Sequence, residues 1–342
     1  MQGRKWQSRK ALGGRKQQIR EQTDRLKRWK SGKAFYEGGK MERIKKVLAH
    51  WNITDFLITE RYHEQTERIL CRIETAARIY FLRGIPREKG EATVQGNVLA
   101  HEYLGNQRHM APTIFPTGDG RYYLAEGRHW FYLTEFISGK NLEETEADEY
   151  ALGKLAARLH GIQGYTCPSG VDQDKSRFYG WFPEKPFKAE FDRILDCLPD
   201  FTRHEQCLIH SDLGPHNAMR RDSGEVVFID LDDAGIGSKH LDLGWAFIMQ
   251  FVDFNHQTGE MRYRFDLALA FLRGYYEAKT LSKKEYDLLW QGAVFTHISY
   301  MQTYGPDAVD SLWTILQYGM AQKEKLWKKW RETTGMGTAA DS

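Results

Sequence analysis

Asp212, Asn217 and Asp230 are spaced as a phosphoryl-transfer site requires. Asp212 follows the apolar run Cys207-Leu208-Ile209, Asp230 ends the run Val226-Val227-Phe228-Ile229, and Asn217 lies on the connection between them. Moving a phosphoryl group asks for little covalent chemistry from a protein. One carboxylate must orient the attacking hydroxyl, and hard oxygen ligands must hold Mg²⁺ against the phosphates of ATP. Asp212 is therefore the candidate catalytic group, with Asn217 and Asp230 as candidate metal ligands. Asp232 ranks below Asp230 as a ligand: on a continuing strand it would share the face of Asp230, and Asp233 would face away. The plainer alternatives are a loop Asp that caps backbone amides and an Asn that only turns the chain.

The loop resembles the protein-kinase pattern H-R-D-x-x-x-x-N, with Ser211 in place of the Arg. It is closer to the aminoglycoside phosphotransferase family, which includes choline and homoserine kinase-type enzymes. That family usually reads H-G-D-x-x-x-x-N, followed by I-D-x-x-x-A in place of D-F-G. His210, Asp212, Asn217, Ile229, Asp230 and Ala234 match it, and the resemblance extends over about residues 42–330.

This resemblance implies an α+β, two-lobed protein-kinase-like fold, with a small five-stranded antiparallel N-lobe and a larger, mostly helical C-lobe. It implies ATP and Mg²⁺ as cofactors, and transfer of the γ-phosphate to a hydroxyl of a small molecule. An aminoglycoside, homoserine, a choline-like compound or a sugar all fit. The family's third strand supplies a Lys to the phosphates; Arg83 stands there instead, with Glu102 as its expected ion-pair partner. Arg keeps the charge but presents a planar fork rather than a point charge. Thr134-Glu135-Phe136-Ile137 resembles the linker whose backbone meets the adenine edge, which makes Glu135 and Ile137 cofactor-binding candidates. His210 is expected to pack and hydrogen-bond to hold the loop, Asp242 to cap a helix or brace the loop, and His216 to come within reach of phosphate or substrate.

Arg83 departs from the family. Tyr62–Arg68 contains no glycine where protein kinases carry G-x-G-x-x-G, whereas aminoglycoside-type enzymes use a less stereotyped loop, so its absence argues against an ordinary protein kinase. Both suit a non-catalytic or weakly active kinase-like scaffold, such as the spore-coat proteins that resemble this family. A protein Ser/Thr kinase on the same fold is a further alternative. Intact Asp212, Asn217 and Asp230 argue against a pure scaffold.

Hydrophobic patterning supplies the elements that must carry these residues. Residues 42–50 read as a helix, and 55–59, 68–74, 77–84, 121–126 and 129–136 as strands. Residues 91–105 have helical spacing at Val94, Val98, Leu99 and Leu104. Ile137-Ser138-Gly139-Lys140 reads as a hinge, which sets an N-lobe of 42–137 and a C-lobe of 138–335, with a tail of 336–342. Helices are expected over 150–161, 187–197, 245–254, 261–279, 283–300 and 309–333. Asp253, Asn255, His256, Trp290, His297 and Tyr300 are the candidate wall of an acceptor site over Asp212.

At 342 residues, 41% hydrophobic and 28% charged, the chain reads as a soluble globular protein. No run approaches the roughly 18 apolar residues of a membrane helix. The four cysteines are scattered and are expected to be free, buried thiols in a reducing cytosol, so a cytoplasmic location is expected. Net charge is +3, yet residues 1–41 carry 13 Lys/Arg against 3 Asp/Glu, a charge of +10 that leaves −7 on the rest. Such an arm could bind nucleic acid, with Trp6 and Trp29 as aromatics; a solvated tail is the plainer expectation. A third reading is that translation starts at Met41. Glu37-Gly38-Gly39-Lys40 precedes it, and GAA-GGA-GGN would be a purine-rich ribosome-binding string before ATG.

Overall fold

Short runs of alternating apolar and polar residues between positions 57 and 135 become the strands of one antiparallel sheet. The structure is a computed structural model that describes residues 38–62, 68–166, 170–182, 184–255 and 257–335. Expectations for 1–37, His256, Cys167, the interior of the glycine-free loop and the tail lie outside the described residues. Helix α1 (Gly38–Ala49) leads into β1 (Leu57–Tyr62), β2 (Ile69–Glu74) and β3 (Ile79–Pro86). After helix α2 (Glu91–His101) and a π-helical turn (Glu102–Gln107) come β4 (Ile114–Phe115), β5 (Tyr123–Glu126) and β6 (His129–Glu135). The order is β1-β2-β3-β6-β4, with β5 also on β6. The sheet has six strands rather than the expected five because the two-residue β4 joins it. β4 and β5 lie end to end on one edge of β6, Ile114 opposite Thr134 and Tyr123 opposite Tyr132.

Strand alternation sorts the two faces. Leu82, Phe131 and Leu133 pack with Ile44, Val47 and Leu48 of α1. Ile85 and Tyr132 pack with Val94 and Val98 of α2 on the other side. Arg83 shares the parity of Ile85 and so belongs to the α2 face. Leu99, expected on the buried face, turns outward.

From β7 (Gly139–Asn141) onward the chain is mostly helical: α3 (Glu146–His160), α4 (Lys188–Cys197), α5 (Lys239–Met249), α6 (Phe265–Tyr275), α7 (Lys283–Tyr304), α8 (Val309–Met320) and α9 (Lys323–Thr334). Among the described residues, no helix is long and apolar enough to cross a membrane. Short strands interrupt the helices: β8 (Gln206–Ile209) pairs with β11 (Gly235–Ser238), and β9 (Ala218–Arg221) lies between β7 and β10 (Val226–Phe228). The helix expected over 245–254 stops at Met249, and the chain returns as the hairpin β12 (Val252–Phe254) and β13 (Met261–Tyr263). The Asn255 side-chain oxygen accepts from the backbone N–H groups of Gln257 (2.9 Å) and Thr258 (3.3 Å), a turn that competes with helix. The helix expected over 309–333 is two helices that part at Ala321 and Gln322.

Helices α5 and α7 cross backbone to backbone. A Cβ on Gly244 would lie 2.3 Å from Ala293 N, and one on Gly292 only 2.0 Å from His240 O. Cys71 and Cys207 are buried free thiols and burial pushes the Cys207 thiol up to about 12, whereas Cys197 is exposed, against expectation.

Near that crossing, Glu285 of α7 gathers His240 Nε2 (3.1 Å), Lys239 Nζ (3.1 Å) and the Tyr276 hydroxyl (3.3 Å). Partial burial acts to raise its carboxyl, but His240 and Lys239 outweigh this and bring it down to about 2. A depressed acid stabilises the fold above its ordinary value of 4.5 and loses that contribution as pH falls toward about 2. Glu285→Gln is expected to cost about 2 kcal/mol at neutral pH. It should also flatten the acid limb of a denaturation-versus-pH series between those values.

Candidate active site

The loop after β8 is held from beneath. Asp242, in the first turn of α5, is fully buried and accepts from His210 N (2.9 Å), Ser211 N (2.7 Å) and His160 Nε2 (2.9 Å). Burial would raise its carboxyl, but the His160 bond and the nearby His210 hold it below the usual range. The Tyr275 hydroxyl lies 2.9 Å from His160 Nδ1 and can donate to it while Nε2–H serves Asp242. Asp242 thus braces the loop, one of the two roles expected for it. His210 packs on Phe228 with ring centroids 4.7 Å apart, as expected, but neither of its buried ring nitrogens has a hydrogen-bond partner among the described residues, against expectation.

Ser211 has φ +67°, the left-handed region, at the position where the resembled pattern carries glycine. Its hydroxyl is buried without a hydrogen-bond partner. Beyond it, a short 3₁₀ turn at Pro215–Asn217 brings Asn217 back toward Asp212. Asn217 Nδ2 donates to the Asp212 carbonyl (2.8 Å) and to Asp212 Oδ2 (2.9 Å). That leaves Asn217 Oδ1 as the amide oxygen suited to a hard cation. His216 Nε2 lies 3.5 Å from Asp212 Oδ2, and its ring sits 5.9 Å from that of Trp245.

The strand before Asp230 ends at Phe228, and the residues after it form a turn. The alternation argument therefore fails: Asp233 lies near Asp212, Asp232 and Asp230 instead of facing away. Burial first, then those three neighbours, raise the Asp233 carboxyl. Asp230 Oδ1 accepts from Arg83 Nη2 (3.4 Å) and Asp232 N (3.3 Å), and Arg83 Nη1 donates to Ile229 O (3.3 Å). Burial works to raise Asp230, but Arg83, Arg68 and His210 prevail and leave it below the ordinary value.

Arg83 is buried in the middle of the sheet, opposite Leu70 on β2 and Tyr132 on β6. The expected Arg83–Glu102 pair does not form. Helix α2 ends at His101, and its geometry turns this buried ring toward the sheet, while Glu102 begins the π turn and is partly exposed. His101 is held uncharged, its pKa lowered to about 3 by burial and by Arg83.

The Glu135 carboxylate is taken by Arg221 of β9, at 2.5 Å to Nη1 and 2.9 Å to Nη2, and it accepts from Thr113 N at 3.3 Å. Any adenine contact there would fall to the backbone, as the linker resemblance requires. Ile137 is buried. Of the expected acceptor wall, Trp290 and His297 are core residues. Trp290 packs on Phe247 (5.5 Å), and His297 Nε2 bonds to Leu312 O (2.8 Å). Asp253 pairs with Arg264 (3.6 Å), the Tyr300 hydroxyl donates to that of Tyr304 (2.9 Å), and Asn255 serves its turn.

A cavity of about 280 Å³ opens beside Ser211, lined in part by Thr93, Asn97, Asp232 and Asp233. Among the described residues, no three His, Cys, Asp or Glu side chains form a complete metal cage. Asn217 Oδ1 and the Asp230 carboxylate are nonetheless hard donors of the kind Mg²⁺ takes, one or two at a time, alongside phosphate and water. Arg68, Asn97 and Arg221 joined the site without a sequence signal of their own, apart from the placement of Asn97 on the helix face shared by Val94 and Val98, and Asp233 joined it against the alternation argument.

An antiparallel sheet flanked by α1 and α2, followed by a helical region that carries an Asp–Asn loop, is the kinase-like arrangement. The sequence pattern of the phosphotransferase enzyme family (APH) matches residues 72–280, more than half of the chain, and the protein belongs to that family. Membership makes it a phosphotransferase. No curated protein sequence matches it. Among solved structures, a microcompartment-associated aminopropanol kinase is 18% identical with a TM-score of 0.60, over 84% of this chain and 98% of that one. A putative aminoglycoside phosphotransferase from Ralstonia eutropha is 13% identical with a TM-score of 0.56, over 85% and 98%. Choline kinase from Streptococcus pneumoniae is 15% identical with a TM-score of 0.52, over 86% and 99%. At these identities the likeness is one of fold.

Two substitutions test the brace. Asp242→Asn removes a buried charge that satisfies three donors and should cost about 3 kcal/mol or more in chemical denaturation. Ser211→Gly relieves the left-handed backbone and the unpaired hydroxyl, and should raise stability by about 1 kcal/mol.

Proposed function

We propose that the protein transfers the γ-phosphate of ATP, with Mg²⁺, to a hydroxyl of a small molecule. The observation that carries this reading is the Asn217 amide bonded to the Asp212 carboxylate, close to a turn in which Asp230 is tied to the sheet by Arg83. A group that orients a hydroxyl and groups that hold an anion through a cation then meet at one seam.

Asp212 orients the acceptor hydroxyl and receives its proton, and Asn217 Nδ2 fixes the carboxylate that does so. Bound Mg²⁺ would neutralise charge on the β- and γ-phosphates, with Asn217 Oδ1 and Asp230 as its protein ligands. Arg83 keeps Asp230 ionised and adds a buried positive charge facing the same seam. The backbone at Glu135 and Ile137 meets the adenine edge. In this reading residues 42–137 form the nucleotide lobe and 138–335 the lobe of catalysis and acceptor binding. An amino alcohol is the acceptor class best supported. Asp233 adds a carboxylate beside Asp212, and similar folds include aminopropanol and choline kinases.

Thermal denaturation with ATP, with and without Mg²⁺, is the first test. A ligand at a hundredfold excess over Kd should add about 2.7 kcal/mol of stability, and Asp230→Asn should abolish the part that depends on metal. No shift by nucleotide or metal at millimolar concentration would refute the reading. In turnover with a panel of amino alcohols, Asp212→Asn should lower kcat about 10²- to 10⁴-fold with the KM for ATP little changed.

A further inference from the structure

With Glu102 unpaired to Arg83, α2 is tied to the rest of the site by other groups. Asp232 Oδ2 lies 2.8 Å from Arg68 Nη1, and Asp232 Oδ1 accepts from Asn97 Nδ2 at 3.0 Å. Arg68 immediately precedes β2, and Asn97 stands in the middle of α2. The Asp232 side chain is only 11% exposed. Its own backbone N–H donates to Asp230 Oδ1 at 3.3 Å, and Arg83 reaches that same oxygen from β3 at 3.4 Å. Three separate segments of the sheet region are thus bonded to one four-residue turn.

We propose that Asp232 is a positioning residue, a latch that fixes α2 and the start of β2 to the turn bearing Asp230, and is not a metal ligand. Both of its oxygens already accept charge-assisted or amide hydrogen bonds, so the carboxylate's orientation is committed to holding the nucleotide side of the cleft together. Asn97 lies 135 residues from Asp232 in sequence, so the contact carries tertiary information that no local element can supply. Arg68 follows the glycine-free connection directly, and its bond to Asp232 anchors the end of that loop. The latch acts on the placement of α2 and the start of β2, so it governs nucleotide affinity and leaves proton transfer at Asp212 alone. The kinetic part of this inference rests on the proposed ATP-dependent function; the structural part does not.

The test uses the full chain in two arms. In the nucleotide-free protein, amide hydrogen exchange is followed for wild type, Arg68→Ala, Asn97→Ala, Asp232→Asn and the Arg68→Ala/Asp232→Asn double variant. Each single change should speed exchange in α2 and at 230–233 about tenfold, the fold-change expected for loss of one charged hydrogen bond. The double variant should exchange no faster than Asp232→Asn, and α6–α9 should stay at wild-type rates. In turnover, the same three single variants should raise the KM for ATP about tenfold with kcat within about twofold, and Arg68→Lys should recover most of the loss. The activation constant for Mg²⁺ at saturating ATP should not change.

Unchanged α2 exchange in all variants would overturn the latch. So would a raised Mg²⁺ constant in Asp232→Asn with normal ATP kinetics in Arg68→Ala and Asn97→Ala, the signature of a metal ligand. If wild type neither binds nor turns over ATP, the functional reading fails, and the exchange arm still decides the latch.

Discussion

Asp242 has no contact with solvent, and its oxygens accept hydrogen bonds from His210 N, Ser211 N and His160 Nε2. A charge in that position is tolerable only when fully compensated, so the loop backbone must come to it. That requirement accounts for the left-handed Ser211, since the peptide must turn sharply for two successive N–H groups to address one carboxylate. Asp212 then leaves the turn in position to be held by Asn217. Helix α5, which carries Asp242, is itself set by its crossing with α7, where glycines let the backbones touch. The placement of Asp212 thus descends from a packing contact between two helices.

The sheet region meets the helical region through two sets of charged contacts. At the back of the linker, Glu135 takes both Nη atoms of Arg221, which holds the end of β6 against β9. At the front, Arg83, Asp230, Asp232, Arg68 and Asn97 form a continuous chain of contacts. Arg in place of Lys explains part of this layout. Its planar fork places one Nη on Ile229 O and the other on Asp230. With that arrangement in place, an acidic partner on α2 is unnecessary, and the helix offers the uncharged His101 instead.

The acids around the site divide by their surroundings. Asp230 faces Arg83 and Arg68 and stays ionised, whereas burial and crowding raise Asp232 and Asp233. Such crowding of like charge around one small volume favours a bound cation, whether a metal or the ammonium of an acceptor. Arg68 already offsets part of it at Asp232.

The spacing of Asp212, Asn217 and Asp230 was legible because the chemistry constrains residue type and interval along a single stretch of chain. Strand and helix periodicity was legible for the same local reason, and located five strands of the sheet and the principal helices to within a few residues. Local patterning failed where turn chemistry intervened, as at Asn255, and where a strand stopped short, as at Phe228. It also failed at every long-range pairing. Glu102 looked like the partner of Arg83 until the phase of α2 presented His101, and Trp290 and His297 read as cleft residues until packing enclosed them. Nothing near Arg68, Asn97 or Arg221 in sequence announces their partners. The sequence by itself determined which side chains could do the chemistry and on which kinds of element they would ride. Only the tertiary structure decided which charges met, because ion-pair partners are chosen by the distances that helix and sheet packing leaves between them, not by their separation along the chain.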